Sequence, residues 1–137
     1  MGDFCHDLID IMLGKTCYVC GSRAGECDKR LCRSCKETLR SMPPPPPLRT
    51  RRGILINSLF PYRGKASTYV KAYKYSTAPH LGESLKSFLL ASHIIGMLKE
   101  QRTDVIVPVP AFWTKKITHP FDPVIYFAET VSDLLAL

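Results

Sequence analysis

Two Cys-x2-Cys pairs near the start of the chain constrain its fold more than any other feature. Cys17 and Cys20 form the first pair and Cys32 and Cys35 the second, with eleven residues between them. Each pair can direct two thiolates at one ion, and two pairs complete a tetrahedral all-sulfur shell, as in zinc ribbons. Gly21 follows the first pair, where a tight turn would let backbone amides point at sulfur. The spacing predicts a structural zinc site, because four thiolates leave no open position for water or substrate.

A disulfide pair or a set of buried thiols is the other interpretation of these cysteines. Disulfides suit secreted proteins, yet the first residues have no basic start, and aspartates interrupt the apolar ones. The roles of two further cysteines stay open. Cys5 lies in a short amphipathic stretch, residues 4–13, and fits a small core residue, whereas Cys27 is either an alternative ligand or a bystander.

Because no apolar run is long enough to span a bilayer, we expect a cytoplasmic protein.

Basic residues are concentrated in the first half of the chain. The formal net charge is +7, and the segment from Lys15 to Lys74 carries fourteen Lys or Arg against three acids. A basic zinc module followed by Arg49, Arg51 and Arg52 could follow the phosphates of a nucleic acid or of a small substrate. The alternative is that these basic residues only form a solvated surface, since few aromatic residues are interleaved with them and no nucleic-acid motif is present.

Five consecutive prolines, Pro43–Pro47, divide the chain. Such a run adopts polyproline II and cannot join a helix or the interior of a sheet. We therefore assign residues 1–42 to a zinc-binding module with a short N-terminal helix. Residues 43–53 form a proline-rich, basic linker, and residues 54–137 form an α/β domain.

Hydrophobic patterning after the linker alternates between strand and helix. It predicts a strand from Ile54 to about Pro61, helices at Ala66–Tyr75 and Leu81–Glu100, a strand at Val105–Pro110 and a helix at Asp122–Leu137. Another short helix, Arg33–Ser41, closes the zinc module. The β-branched run from Val105 is typical of a strand buried on both faces of a parallel sheet. The predicted fold class is α/β: a small four-cysteine zinc-ribbon module followed by a parallel-sheet domain.

The order of these segments resembles that of the ComF-like phosphoribosyltransferases, a family associated with DNA uptake competence. The resemblance rests on Cys17–Gly21, Leu31–Cys35, Tyr62-Arg63-Gly64, Lys74-Tyr75 and the Val-Pro-Val-Pro sequence within Asp104–Pro110. It implies the first half of a type I phosphoribosyltransferase-like domain. It also implies substrate contacts from Lys74, Tyr75, Pro108, Pro110, Lys115 and Lys116, the last four near pyrophosphate. The alternative for the last four residues is an exposed basic loop, and the alternative for Lys74 and Tyr75 is an ordinary helix end with a favourable cation.

Two departures from the family bear on activity. The family continues after Val-Pro-Val-Pro with several basic residues and then Arg-Gly-Phe-Asn-Gln. This chain has Lys115 and Lys116 there, but of the five-residue motif it retains only Phe121. The family's paired acids and Thr-Thr-Gly loop, which hold phosphoribosyl pyrophosphate, have no counterpart, and no glycine follows Gly96. A phosphate cradle needs closely approaching amides, usually made possible by glycine. We expect no catalytic residues and no activity from this chain alone, with Mg²⁺ bound beside the substrate only if the missing half is supplied.

Three interpretations remain open at this point. The chain is a partial ComF-like phosphoribosyltransferase, a basic zinc-ribbon module that binds nucleic acid or a competence-machinery protein, or a non-functional fragment. The first also predicts self-association, because an unfinished sheet exposes unpaired strand edges.

Overall fold

The computed structural model describes residues 16–22, 30–75, 80–109 and 121–137. These residues form five helices and a two-stranded sheet: α1 (Arg33–Arg40), β1 (Leu48–Arg49), β2 (Leu55–Ile56), α2 (Gly64–Tyr75), α3 (His80–Ala91), α4 (Ile94–Glu100) and α5 (Pro123–Leu135). None of these helices is both long and apolar enough to cross a bilayer. The helix predicted within residues 4–13 lies outside the described part of the chain.

Helix α3 lies at the centre of the packing. It contacts α1, α2, α4 and α5, and its predicted apolar positions, Leu81, Leu85, Phe88 and Leu89, are all buried. Phe88 also forms edge-to-face contacts with Phe60 and Tyr69, with ring centroids 5.4 and 5.5 Å away. The predicted 3.6-residue period of this segment is therefore confirmed, because one helix face is shared by several neighbours.

The prediction of one continuous helix from Leu81 to Glu100 is wrong, because the helix breaks at Ser92. The Ser92 hydroxyl donates to the Leu89 carbonyl at 2.8 Å, and its oxygen accepts from the Ile94 amide at 3.3 Å. A serine that bonds to nearby backbone groups competes with helical hydrogen bonds. The segment consequently forms two helices, α3 and α4, that contact each other and both contact α5.

The start of α5 agrees with the sequence. Asp122 is the N-cap, and its Oδ1 accepts from the amides of Val124 at 3.0 Å and Ile125 at 3.3 Å. Pro123 occupies the first helical position, where a missing N–H costs nothing. The apolar face is only partly as predicted, since Val131 is buried while Ile125 is exposed.

The observed sheet is antiparallel and small. Leu48 pairs with Ile56, and Arg49 pairs with Leu55, so β1 lies within the segment assigned to the linker. A short turn, Thr50–Gly53, connects the two strands, and the Gly53 amide donates to the Thr50 carbonyl at 3.0 Å. Sequence reasoning missed this pairing because the basic residues hide the extended pattern of β1.

The expected parallel strand does not form in the described residues. Residues 105–109 do not form a strand, and Val105, Val107 and Val109 are 71%, 79% and 81% exposed. A strand is held by hydrogen bonds to a neighbour, and the described ranges place no strand beside this segment. The described residues thus form a mixed helical structure with a two-stranded sheet, while a phosphoribosyltransferase-like domain and self-association stay predictions.

The cysteine segment packs directly on the helical body. Cys17, Leu31, Cys35 and Leu39 belong to the same buried cluster as the core of α3. Helix α1, which carries Cys35, contacts both α2 and α3. This packing positions the second cysteine pair on a helix anchored in the core.

Candidate metal centre

The four cysteines predicted from their spacing converge on one point. Their Sγ atoms all lie within 4.8 Å of one another, and Cys20 Sγ lies 3.7 Å from Cys32 Sγ. Zinc–sulfur bonds of about 2.3 Å in a tetrahedron require sulfur atoms about 3.8 Å apart. A disulfide would need about 2.05 Å, and all four cysteines are free thiols. The arrangement can hold one metal ion.

The first pair sits on a tight turn. Gly21 has φ +72°, a conformation that glycine adopts at little cost, and its amide donates to the Cys17 carbonyl at 2.8 Å. The Cys17 amide in turn donates to the Ser22 carbonyl at 2.8 Å. The turn predicted at Gly21 is therefore confirmed, and it brings Cys20 back toward Cys17.

The second pair sits at the start of α1. Cys32 is the N-cap, and its Sγ accepts from the Cys35 amide at 3.4 Å. The Cys32 amide donates to Cys17 Sγ, also at 3.4 Å. Backbone amides that point at sulfur stabilise the thiolate form that a metal requires. These amides come from the second pair, whereas the sequence suggested that the Gly21 turn would supply them.

A contact between Tyr18 and Arg30 joins the two halves of the site. The Tyr18 amide donates to the Arg30 carbonyl at 3.0 Å, and Arg30 Nη1 donates to the Tyr18 hydroxyl at 3.0 Å. The guanidinium carbon also lies 5.4 Å from the centre of the Tyr18 ring, within cation–π range. Sequence reasoning missed this pair, since neither residue type belongs to a ligand pattern.

The four thiols differ in environment. Cys17 and Cys35 are 2% and 1% exposed, whereas Cys20 is exposed. Contacts from the Ser22 side chain and backbone lower the pKa of the Cys20 thiol to about 6, while burial raises the pKa of the Cys35 thiol. A metal ion must displace protons from these thiols, so its affinity falls as the pH drops.

Three of the six predicted substrate residues, Lys74, Tyr75 and Pro108, lie in the described part of the chain. Lys74 is exposed in the last turn of α2 and lines a cavity of about 300 Å³, which neither Tyr75 nor Pro108 lines. Tyr75 is itself exposed. Pro110, Lys115 and Lys116 lie outside the described residues, as do Cys5 and Cys27. The structure therefore brings the four predicted metal ligands together, while the substrate contacts implied by the resemblance stay a prediction.

Pro108 lies in an acidic groove. The groove has a volume of about 430 Å³, and Asp104, Glu129 and Asp133 line it together with Pro108. Three carboxylates would repel a polyanion at close range. The described residues around Pro108 thus make this groove acidic, and Lys115 and Lys116, which were predicted to contact pyrophosphate, lie outside the described part of the chain.

Comparisons with protein-family models, with curated proteins and with solved structures give no significant match to this chain.

Proposed function

We propose that Cys17, Cys20, Cys32 and Cys35 hold a structural zinc ion that organises the first part of the protein. The 3.7 Å separation of Cys20 Sγ and Cys32 Sγ supports this most directly, because it matches the edge of a zinc–thiolate tetrahedron. Four thiolates leave no position for a substrate, so the metal stabilises the fold and takes no part in a reaction. Free thiols also suit a reducing compartment, and we place the protein in the cytoplasm.

Metal analysis tests the zinc proposal. Protein purified without added metal is expected to contain about one zinc per chain, because one tetrahedral shell binds one ion. Iron in place of zinc, or no metal together with a Cys17–Cys20 or Cys32–Cys35 disulfide, would overturn it.

We also propose that the chain is a ComF-like phosphoribosyltransferase-family protein that is inactive by itself. The ordered sequence motifs support the family, and two of them bracket one helix: Gly64, with φ +51°, begins α2 and Lys74-Tyr75 end it. Inactivity is supported by the absence of glycine after Gly96 and by the acidic groove around Pro108.

Calorimetry with phosphoribosyl pyrophosphate tests the inactive-chain proposal. In the presence of Mg²⁺ we expect no binding tighter than about millimolar, since the sequence after Gly96 has no glycine with which to form a phosphate cradle. Inorganic pyrophosphate serves as a control for binding to basic residues in general. Micromolar affinity for phosphoribosyl pyrophosphate would show that another part of this chain binds the phosphates.

Nucleic-acid binding is a second candidate function, favoured by a long stretch without acids. Residues 38–82 contain eight Lys or Arg and no Asp or Glu. Arg51 and Arg52 occupy the turn between β1 and β2 and are exposed, and a hydrogen bond from the Ile54 amide to Thr50 Oγ1 at 3.0 Å stabilises this turn. A protruding basic turn can approach a phosphate backbone.

The salt dependence of DNA binding tests the second candidate. If Arg51 and Arg52 each contact a phosphate, replacing both with alanine should make the negative slope of log K against log salt shallower by about two. Lys86→Ala, an exposed change on α3 outside the acid-free stretch, is the matched control and should leave the slope unchanged. Absence of salt-dependent binding by the unmodified chain would exclude this function.

A further inference from the structure

A cavity separate from the cysteine cluster lies between α2, α3 and α5, and none of the four cysteines lines it. This is the 300 Å³ cavity that Lys74 borders, a volume at the lower end of the range for small-molecule sites. Val70 of α2, Leu85 of α3 and Phe127 of α5 contribute to its walls. Apart from Lys74, every side chain in its lining is apolar or aromatic.

The two hydroxyl groups in these walls are already engaged. Tyr69 donates to the Leu81 carbonyl at 2.7 Å, and Tyr73 donates to the Pro123 carbonyl at 2.6 Å. Burial raises the pKa of both tyrosines, so they remain neutral. Apart from Lys74, the walls therefore have no uncommitted polar side chain for a ligand, and the part of a ligand that lies away from Lys74 must be apolar.

Lys74 supplies the charge at the border of the cavity. It lies in the last turn of α2, is exposed and is the charged residue of the lining. Asp122, just before Pro123, does not line the cavity, and its Oδ1 accepts from two amides of α5. From this charge complementarity we propose that the cavity binds a small amphipathic carboxylate, with its chain against Val70, Leu85 and Phe127 and its head group at Lys74.

Three probes of equal chain length separate the contribution of the charge from that of the chain. Octanoate, octanol and octylamine are titrated separately into the full chain labelled with ¹⁵N, and amide shifts are followed by NMR. Octanoate should bind most tightly and shift Val70, Leu85 and Phe127, because an ammonium head group meets Lys74 with the same charge. Equal affinity for all three probes, or shifts confined to other residues, would overturn the proposal.

Two substitutions locate the site. Lys74→Met should weaken octanoate binding about tenfold and leave octanol binding unchanged, since only the charge-assisted contact is lost. Lys71→Met, an exposed change on the same helix outside the lining, is the control and should change neither. Val70→Phe should block all three probes by filling the cavity. Octanoate binding that survives Lys74→Met unchanged would contradict the assigned head-group position, even if Val70→Phe fails to fold.

Discussion

Replacing Cys32 with serine is expected to abolish metal binding and unfold the segment around the cysteines. Cys32 contributes one of four thiolates and also caps α1. Serine preserves the N-cap, because its oxygen can accept a hydrogen bond from the same amide. The loss of stability therefore reports mainly on the loss of the metal. Structural zinc contributes on the order of 10 kcal/mol to folding, so three remaining ligands should hold it far more weakly. Loss of zinc and a melting transition lowered by tens of degrees are the expected readouts.

Ser34→Ala provides the matched control for Cys32→Ser. Ser34 is exposed on the same helix, between the two cysteines of the second pair. Its replacement should leave the zinc content and the melting temperature nearly unchanged, since surface substitutions have small effects. If the Cys32→Ser protein still holds one zinc per chain and melts like the unmodified protein, the four-thiolate site does not exist as proposed.

Gly82→Ala is expected to destabilise the protein by about 1–3 kcal/mol, the usual cost of overpacking. Gly82 is buried in α3, and a Cβ there would lie 2.8 Å from Tyr126 Cζ and 2.9 Å from Cδ1. Contacts this short force either the Tyr126 ring or the whole of α5 to move. Urea denaturation followed by circular dichroism measures the change in the free energy of unfolding.

Gly96→Ala is the control, and its effect should have the opposite sign. Gly96 lies in α4, and a Cβ there would meet no atom within 4 Å. Alanine should therefore stabilise the protein by about 0.5–1 kcal/mol, because it favours helix more than glycine does. Adding Tyr126→Val to Gly82→Ala should recover part of the lost stability. If Gly82→Ala and Gly96→Ala both stabilise, α3 and α5 do not pack as described.

Features that depend on a few neighbouring residues could be predicted from the sequence. The Cys-x2-Cys spacing identified the four residues that meet, and Asp122 followed by Pro123 identified the start of α5. Each depends on local geometry: a knuckle needs two cysteines on one turn, and an N-cap needs an acceptor beside the first free amides. The apolar period of α3 likewise identified the buried face.

Strand pairing could not be predicted, because a strand forms only where a second strand lies beside it. The β-branched run at 105–109 predicted a parallel strand, yet no described strand lies beside it. Leu48 and Arg49, within the expected linker, pair with β2 instead. Local propensity is a weak guide here, since the stability of a strand comes mainly from its neighbours.

The sequence alone determined which four cysteines meet, the basic character of residues 38–82 and most of the helices, because these follow from residue identity and short spacing. Only the tertiary structure decided what surrounds Gly82, Lys74 and Pro108. Gly82 faces Tyr126, Lys74 borders an apolar cavity, and Pro108 lies among carboxylates. The surroundings of Gly82 and Lys74 arise where α5 packs against helices that lie more than thirty residues earlier in the chain. Those of Pro108 arise where α5 lies next to residues 104–108. Contacts of this kind depend on how side chains fill space across helices, which no local pattern encodes.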